Sequence, residues 1–190
     1  TIAATVESNQ PGAQFGISVA CAGDINGDGY SDIIAGANMY DNVESNEGAA
    51  YVYFGSASGI NIIAVAILES NQANAGMGRG VAGAGDVNGD GYSDVIVGSP
   101  GYNNGQAGEG VAFVYHGSAS SISSTPTAIV ESNQASSTFG FSVASAGDVN
   151  ADGFSDVIVG AARYDNPQLN EGVAFIYHGS PTGINITAAA

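Results

Sequence analysis

One nonapeptide recurs three times in this chain: Asp24-Ile-Asn-Gly-Asp-Gly-Tyr-Ser-Asp32, Asp86-Val-Asn-Gly-Asp-Gly-Tyr-Ser-Asp94 and Asp148-Val-Asn-Ala-Asp-Gly-Phe-Ser-Asp156. The copies are 62 residues apart both times. A fixed period of this length constrains the fold more than any local propensity, because each period is one unit that buries its apolar faces only against its neighbours. The phase extends well beyond the nonapeptides. Glu-Ser-Asn-Gln recurs at 7–10, 69–72 and 131–134. Phe15-Gly16, Met77-Gly78 and Phe139-Gly140 correspond, as do Glu47-Gly48, Glu109-Gly110 and Glu171-Gly172.

Each nonapeptide sets side-chain oxygens at positions 1, 3, 5 and 9 around a glycine at position 6. A short loop wraps a hard cation in this way: Ca²⁺ takes six to eight oxygens at ~2.3–2.6 Å, and a sharp glycine turn lets the ligands converge. The spacing assigns Asp24, Asn26, Asp28 and Asp32, with the backbone carbonyl of Tyr30, to a first site. Asp86, Asn88, Asp90, Asp94 and the Tyr92 carbonyl form a second, and Asp148, Asn150, Asp152, Asp156 and the Phe154 carbonyl a third. Three Ca²⁺ ions with a structural role, one per repeat, are the expected cofactors. A helical EF-hand carries Glu at position 12; these loops have Ala35, Val97 and Val159 there, so position 9 is expected to close the cage. The competing reading is an Asx- and Gly-rich turn without metal. Mutual repulsion among three aspartates in nine residues favours the cation. Ala151 replaces glycine at position 4 of the third loop, a position not expected to need left-handed backbone, so weaker rather than absent binding is expected there.

Eighteen acids against two bases, Arg79 and Arg163, give a formal charge of −16. Such a surface repels nucleic acid and anionic membrane and attracts divalent cations. The 29 glycines are twice the usual ~7 % share, which suits many tight turns. Cys21 is the lone cysteine, its counterparts are Gly83 and Ser145, and it is expected to be a buried, inert thiol. No apolar run reaches the ~18–20 residues of a membrane span. With neither an initiator Met nor a charged-then-apolar leader, the chain is expected to be a mature or excised piece. Loops of this type point to a calcium-rich, extracellular or cell-surface setting.

Four strands are expected per repeat: 15–20, 32–37, 49–54 and 60–68 in the first. The second has 78–82, 94–98, 111–115 and 128–130, and the third 140–144, 156–160, 173–177 and 184–188. The second strand is a continuous apolar run, as a strand buried on both faces should be. Four short antiparallel strands per unit describe a β-propeller blade. At this point the chain resembles a known family. Phe15-Gly16-Ile-Ser-Val-Ala, the nonapeptide with Gly36-Ala37 after it, and Gly48-Ala-Ala-Tyr-Val-Tyr53 are similar to the FG-GAP repeat. That repeat builds the seven-bladed propeller of integrin α subunits, and the resemblance implies calcium in the blade loops and partner recognition on the opposite face.

The expected fold is therefore all-β: segment 1–14 as the fourth strand and loop of a preceding or partner blade, then blades 15–76, 77–138 and 139–190. Three blades cannot close a ring, since propellers use four to eight. A homodimer closing as a six-bladed ring is expected, with Thr1–Val6 completing the last blade of its neighbour. The face opposite the loops repeats Tyr40-Asp41-Asn42, Tyr102-Asn103-Asn104 and Tyr164-Asp165-Asn166. Tyr40, Tyr102 and Tyr164, with the symmetry-breaking Arg79 and Arg163, are candidate ligand-binding residues; packing between blades is the competing role of the tyrosines. His116 and His178 occupy a position held by Phe54 in the first repeat, which suggests packing. No catalytic constellation stands out. The expected function is a non-enzymatic, calcium-binding module for extracellular adhesion or protein-ligand binding. A glycan-binding lectin, a scaffold beside an enzyme in a longer chain and a purely architectural repeat stay open.

Overall fold

The computed structural model describes residues 2–186. It contains eleven strands and, among the described residues, no α-helix: β1 (Phe15–Gly23), β2 (Asp32–Ala37), β3 (Ala49–Tyr53), β4 (Ala66–Glu69), β5 (Gly80–Gly85), β6 (Asp94–Ser99), β7 (Val111–Tyr115), β8 (Ala128–Glu131), β9 (Phe139–Gly147), β10 (Asp156–Ala161) and β11 (Val173–Tyr177). They form three antiparallel meanders, β1-β2-β3-β4, β5-β6-β7-β8 and β9-β10-β11, one per repeat. The 62-residue period is a structural period.

Most strands lie where the apolar patterning puts them. Two differences have local causes. The first strands of all three repeats run on to Gly23, Gly85 and Gly147, absorbing an irregularity in register just before the loop. The fourth strand of repeat one spans only 66–69, because Asn61 takes the chain out of register. Its Oδ1 accepts the Ile63 N–H at 3.0 Å, an Asx turn that leaves Ile62 and Ile63 in solvent. Residues 2–6 and 184–186 carry no strand; Thr1 and the expected strand positions 187 and 188 lie outside the described residues.

The blades stack in chain order, with β1 packed on β5 and β5 on β9, so the first strands crowd the axis. Between the first two blades Ile25, Ile34 and Val52 meet Val81, Val97 and Phe113. Between the second and third, Val87, Ile96 and Val114 meet Phe139, Val157 and Val159. The central strand β6 is buried at all six positions, the outcome its unbroken apolar run implied. Small residues set the spacing of the sheets. A Cβ on Gly36 or Gly98 would fall within 2 Å of the carbonyl oxygen of Gly78 or Gly140 on the next blade, so backbone meets backbone there.

Cys21 is exposed, against the expectation of burial. The slot is not a buried one in any repeat: Gly83 is half-buried and Ser145 exposed, although a blade packs against each of their strands.

Candidate metal centres

Each loop is organised by its own carboxylates before any ion is considered. Asp24 accepts the N–H of Asp28 on Oδ1 at 3.0 Å and of Gly29 on Oδ2 at 2.8 Å. Asn26 Oδ1 also accepts the Asp28 N–H, at 3.0 Å, and its amide donates to Asp28 Oδ2, at 3.0 Å. Asp28 Oδ1 accepts the Tyr30 N–H at 3.0 Å. The same network joins Asp86, Asn88, Asp90 and Tyr92, and again Asp148, Asn150, Asp152 and Phe154. Positions 1, 3 and 5 are thus drawn to one side of the turn in all three copies.

Position 9 is set apart. Asp32, Asp94 and Asp156 are fully buried, and both oxygens of each bind backbone. Asp32 Oδ2 accepts the Ile25 N–H and Oδ1 the Gly55 N–H, both at 2.8 Å. Asp94 does the same with Val87 and Gly117, at 2.8 and 3.0 Å, and Asp156 with Val149 and Gly179, at 2.8 and 2.9 Å. This carboxylate ties the loop to the turn after the third strand. Burial is the main cause that raises Asp94 to about 7, opposed by the N–H groups of Val87 and Gly117 and reinforced by the charges of Asp90 and Asp86. Asp32 is raised for the same reasons.

The donor set suits a hard dication. Every candidate is oxygen, and a carboxylate has about four acceptor sites. In the first loop Asp24 and Asp28 each use two of these on the loop itself. The push of Asp86 and Asp90 on Asp94 is like-charge repulsion that a cation between them would reverse. Among the described residues no three Asp, Glu, His or Cys side chains gather into one cluster, because position 9 turns to backbone while positions 1 and 5 face the turn. The residues fit Ca²⁺ through mixed carboxylate, amide and carbonyl oxygens rather than through a knot of acids.

Several residues matter here that their sequence spacing did not single out. Position 4 is left-handed in all three loops, with φ of 72° at Gly27, 75° at Gly89 and 59° at Ala151. The expectation that it need not be left-handed was wrong: the turn reverses there to bring positions 3 and 5 together. The loops are also nested. The Tyr92 ring lies where a Cβ on Gly27 would be, 2.8 Å away, and Phe154 stands in the same relation to Gly89 at 2.7 Å. Position 8 completes the nesting. Ser93 donates its N–H to the Asp24 carbonyl at 3.0 Å and accepts the Asp24 N–H on Oγ at 3.1 Å. The recurring glycine and serine were the available signal, but only packing explains them. His116 approaches the second loop, with Nδ1 3.2 Å from Asn88 Nδ2, and His178 lies likewise 3.3 Å from Asn150.

On the opposite face, Tyr40, Tyr102 and Tyr164 are half-buried and stand edge-on to Tyr51, Phe113 and Phe175 at 5.8, 5.4 and 5.3 Å. The neighbouring residues serve the turn. Gln72 clamps Asn103, donating to its carbonyl at 3.1 Å and accepting its N–H at 2.7 Å, and Gln10 and Gln134 treat Asp41 and Asp165 alike. Buried Glu47 and Glu109 accept the N–H groups of Asn42 and Asn104, at 2.8 and 2.7 Å. Arg79 lies over the Phe141 ring, 4.1 Å from its centroid, while Arg163 is exposed nearby.

Comparison with known proteins finds one match in each repeat. The family model described as FG-GAP repeat matches residues 15–53, 77–115 and 139–177. Integrin alpha-3 of Cricetulus griseus is 32% identical over 161 residues, 82% of this chain and 15% of the relative. Integrin alpha-V of Gallus gallus is 34% identical over 169 residues, 84% and 16%, and integrin alpha-6 of Homo sapiens 36% over 150 residues, 78% and 12%. The chain therefore spans less than a fifth of the length of these relatives. Three matched units, each one sheet with one nested acidic loop, establish that this chain belongs to the FG-GAP repeat family, in its integrin-α-like form.

Proposed function

We propose that the chain is a calcium-stabilised, non-enzymatic propeller module for adhesion or ligand binding outside the cell. The observation that carries this reading is the loop itself. Three times, two carboxylates and an amide are gathered at the tip of the hairpin between a blade's first two strands, and a third carboxylate is buried behind them. Bound at those tips, Ca²⁺ supplies positive charge that offsets the repulsion. Asp24, Asn26 and Asp28 would hold it, with the Tyr30 carbonyl and the acceptor sites that the Ile25 and Gly55 N–H groups leave free on Asp32, and so would their counterparts. The extracellular setting follows from loops of this kind and from the likeness to integrin α subunits. No helix among the described residues is long and apolar enough to cross a membrane.

Calorimetric titration of the chelated chain with CaCl₂ tests the metal. Three sites are expected, and Asp28→Asn, Asp90→Asn and Asp152→Asn should each remove one. Heat indistinguishable from dilution would dismiss the ion from all three loops.

One feature supports a ligand site. Half-exposed Phe141, the partner of Arg79, lines an open cleft of about 480 Å³ together with Pro100, Thr138 and Arg163. Arg79, over that ring, and Arg163, on the wall of the cleft, are the two basic side chains of a strongly acidic chain. That arrangement suits an acidic peptide. Immobilised acidic peptides and a glycan array distinguish the classes: peptide binding lost in Arg163→Ala supports this reading, and glycan binding in its place supports the lectin.

A further inference from the structure

Glu47 and Glu109 hold the same place in their repeats, inside the connection from the second strand to the third, but their buried carboxylates are satisfied differently. Each accepts an asparagine N–H on Oε1, Asn42 at 2.8 Å and Asn104 at 2.7 Å. Glu109 gains two further bonds from one residue. The Gln106 N–H donates to Oε1 at 3.0 Å, and the Gln106 side-chain amide, its nitrogen toward the carboxylate, closes on Oε2. In the third repeat the Gln168 N–H likewise donates to Glu171 Oε2, at 3.3 Å. The first repeat has Glu44 at this position. There Glu47 is fully buried, and its Oε2 has no hydrogen-bond partner. These partners of Glu109 all belong to its own repeat, so the difference comes from residue 44 and not from a neighbouring blade.

A buried carboxylate oxygen without a donor is costly, and a second carboxylate facing it brings repulsion where an amide brings a bond. The side chains behave accordingly. Gln106 is half-buried over its partner, whereas Glu44 is exposed, turned out to solvent. A third acid stands beside the pair. The Asn42 side-chain amide donates to Glu69 Oε2 at 3.2 Å, so one asparagine joins Glu47 to Glu69. Burial raises the Glu69 carboxyl, the Asn42 amide opposes the rise, and the charge of Glu47 adds to it. The chain has no lysine, and Arg79 and Arg163 lie at the Phe141 cleft, so neither arginine is placed to neutralise these acids.

We propose that Glu44 and Glu47 hold a divalent cation, with Glu69 adding charge, at a site separate from the acidic loops and on the opposite face of the blade. The buried Oε2 of Glu47 is the fixed ligand, and Glu44 is the arm that the ion draws in from solvent. Until then mutual repulsion keeps the acids apart, and among the described residues they do not gather into a cluster unaided. Water completes the coordination. A few carboxylates at an open rim suit a weak oxygen site, in the range of roughly 10⁻⁴–10⁻³ M found for extracellular calcium modules. Blade two needs no ion here, because the Gln106 amide covers the same oxygen of Glu109.

The experiment is a CaCl₂ titration of the chelated chain followed in ¹H–¹⁵N spectra. The Asn42 N–H, which donates to Glu47, is the reporter, and the Asn104 N–H is the internal control. The Asn42 signal should saturate within that concentration range while Asn104 stays in place. Glu44→Gln supplies the missing amide. It should weaken the Asn42 response by about tenfold or more, since one ligand charge is lost, and raise the urea midpoint of the chelated chain. Gln106→Glu should do the reverse and bring out a calcium response at Asn104. The Gly29 and Gly91 N–H groups, bonded to Asp24 and Asp86, report the loops separately. Silent loops with a responding Asn42 would therefore dismiss the loop ions and support this site. An Asn42 signal that moves with pH but not with calcium, that follows NaCl as it follows CaCl₂, or that responds undiminished in Glu44→Gln overturns the proposal.

Discussion

Asp94 shows how much one side chain carries. It is fully buried, it holds two backbone N–H groups, and two other aspartates press on it. In Asp94→Asn one of those N–H groups would meet an amide donor, so the chelated chain should lose about 2 kcal/mol in urea denaturation. The charge has its own signature. Folding raises this carboxyl from 3.8 to about 7, so the folded state holds the proton more tightly. The stability this contributes is fully present below pH 3.8 and is lost as pH rises through 7. In chelator the urea midpoint should therefore fall across that interval, and Asp94→Asn should flatten part of the slope. Position 4 offers a second test. Gly89→Ala meets both a left-handed backbone and the Phe154 ring and should cost about 2–3 kcal/mol. Gly91→Ala meets only the backbone, since its Cβ would point into open space, and should cost about 1 kcal/mol.

A loop is held at both ends by backbone bonds to its own carboxylates, so calcium tightens a turn that already exists. Calcium should raise the melting temperature by an amount that grows with the logarithm of its concentration. Differential scanning fluorimetry with and without EDTA reads this directly; identical melts would remove the ion from the account. The third loop is the exception among the elements. Ala151 sits at φ 59°, a conformation that costs a non-glycine residue about 1 kcal/mol. Because the turn is already formed without the ion, Ala151→Gly should stabilise the folded chain by about 1 kcal/mol in urea denaturation.

At the scale of the molecule, stability is shared out by blade contact. The inner strand β6 is closed on both faces, while β9 keeps several residues in solvent. Val97→Ala, at a fully buried site, should cost about 2 kcal/mol, whereas Val43→Ala, in an exposed connection, should stay within about 0.5 kcal/mol. Amide exchange should be slowest in β6 and β7 and faster in β9. The blade is thus one template whose copies differ only in what covers them.

The strands, the period and the acidic loops were legible in the residues themselves, because each depends on contacts within one repeat: alternation, turn chemistry and spacing. Tyr92 and Phe154 show where that legibility stops. As sequence they were carbonyl donors at position 7; in the fold their rings lie on the glycines of the preceding loop. Cys21 shows the same limit: the small residue at Gly83 marks a close approach of backbone to backbone, 2.8 Å from the Cys21 carbonyl oxygen to a Cβ there, and not a buried slot. Tyr40, Tyr102 and Tyr164 stand edge-on to Tyr51, Phe113 and Phe175 of their own blades, a contact that the repeated triplet alone did not show. Local chemistry therefore settled what each repeat is. Burial, which depends on atoms a whole period away, decided what each residue does.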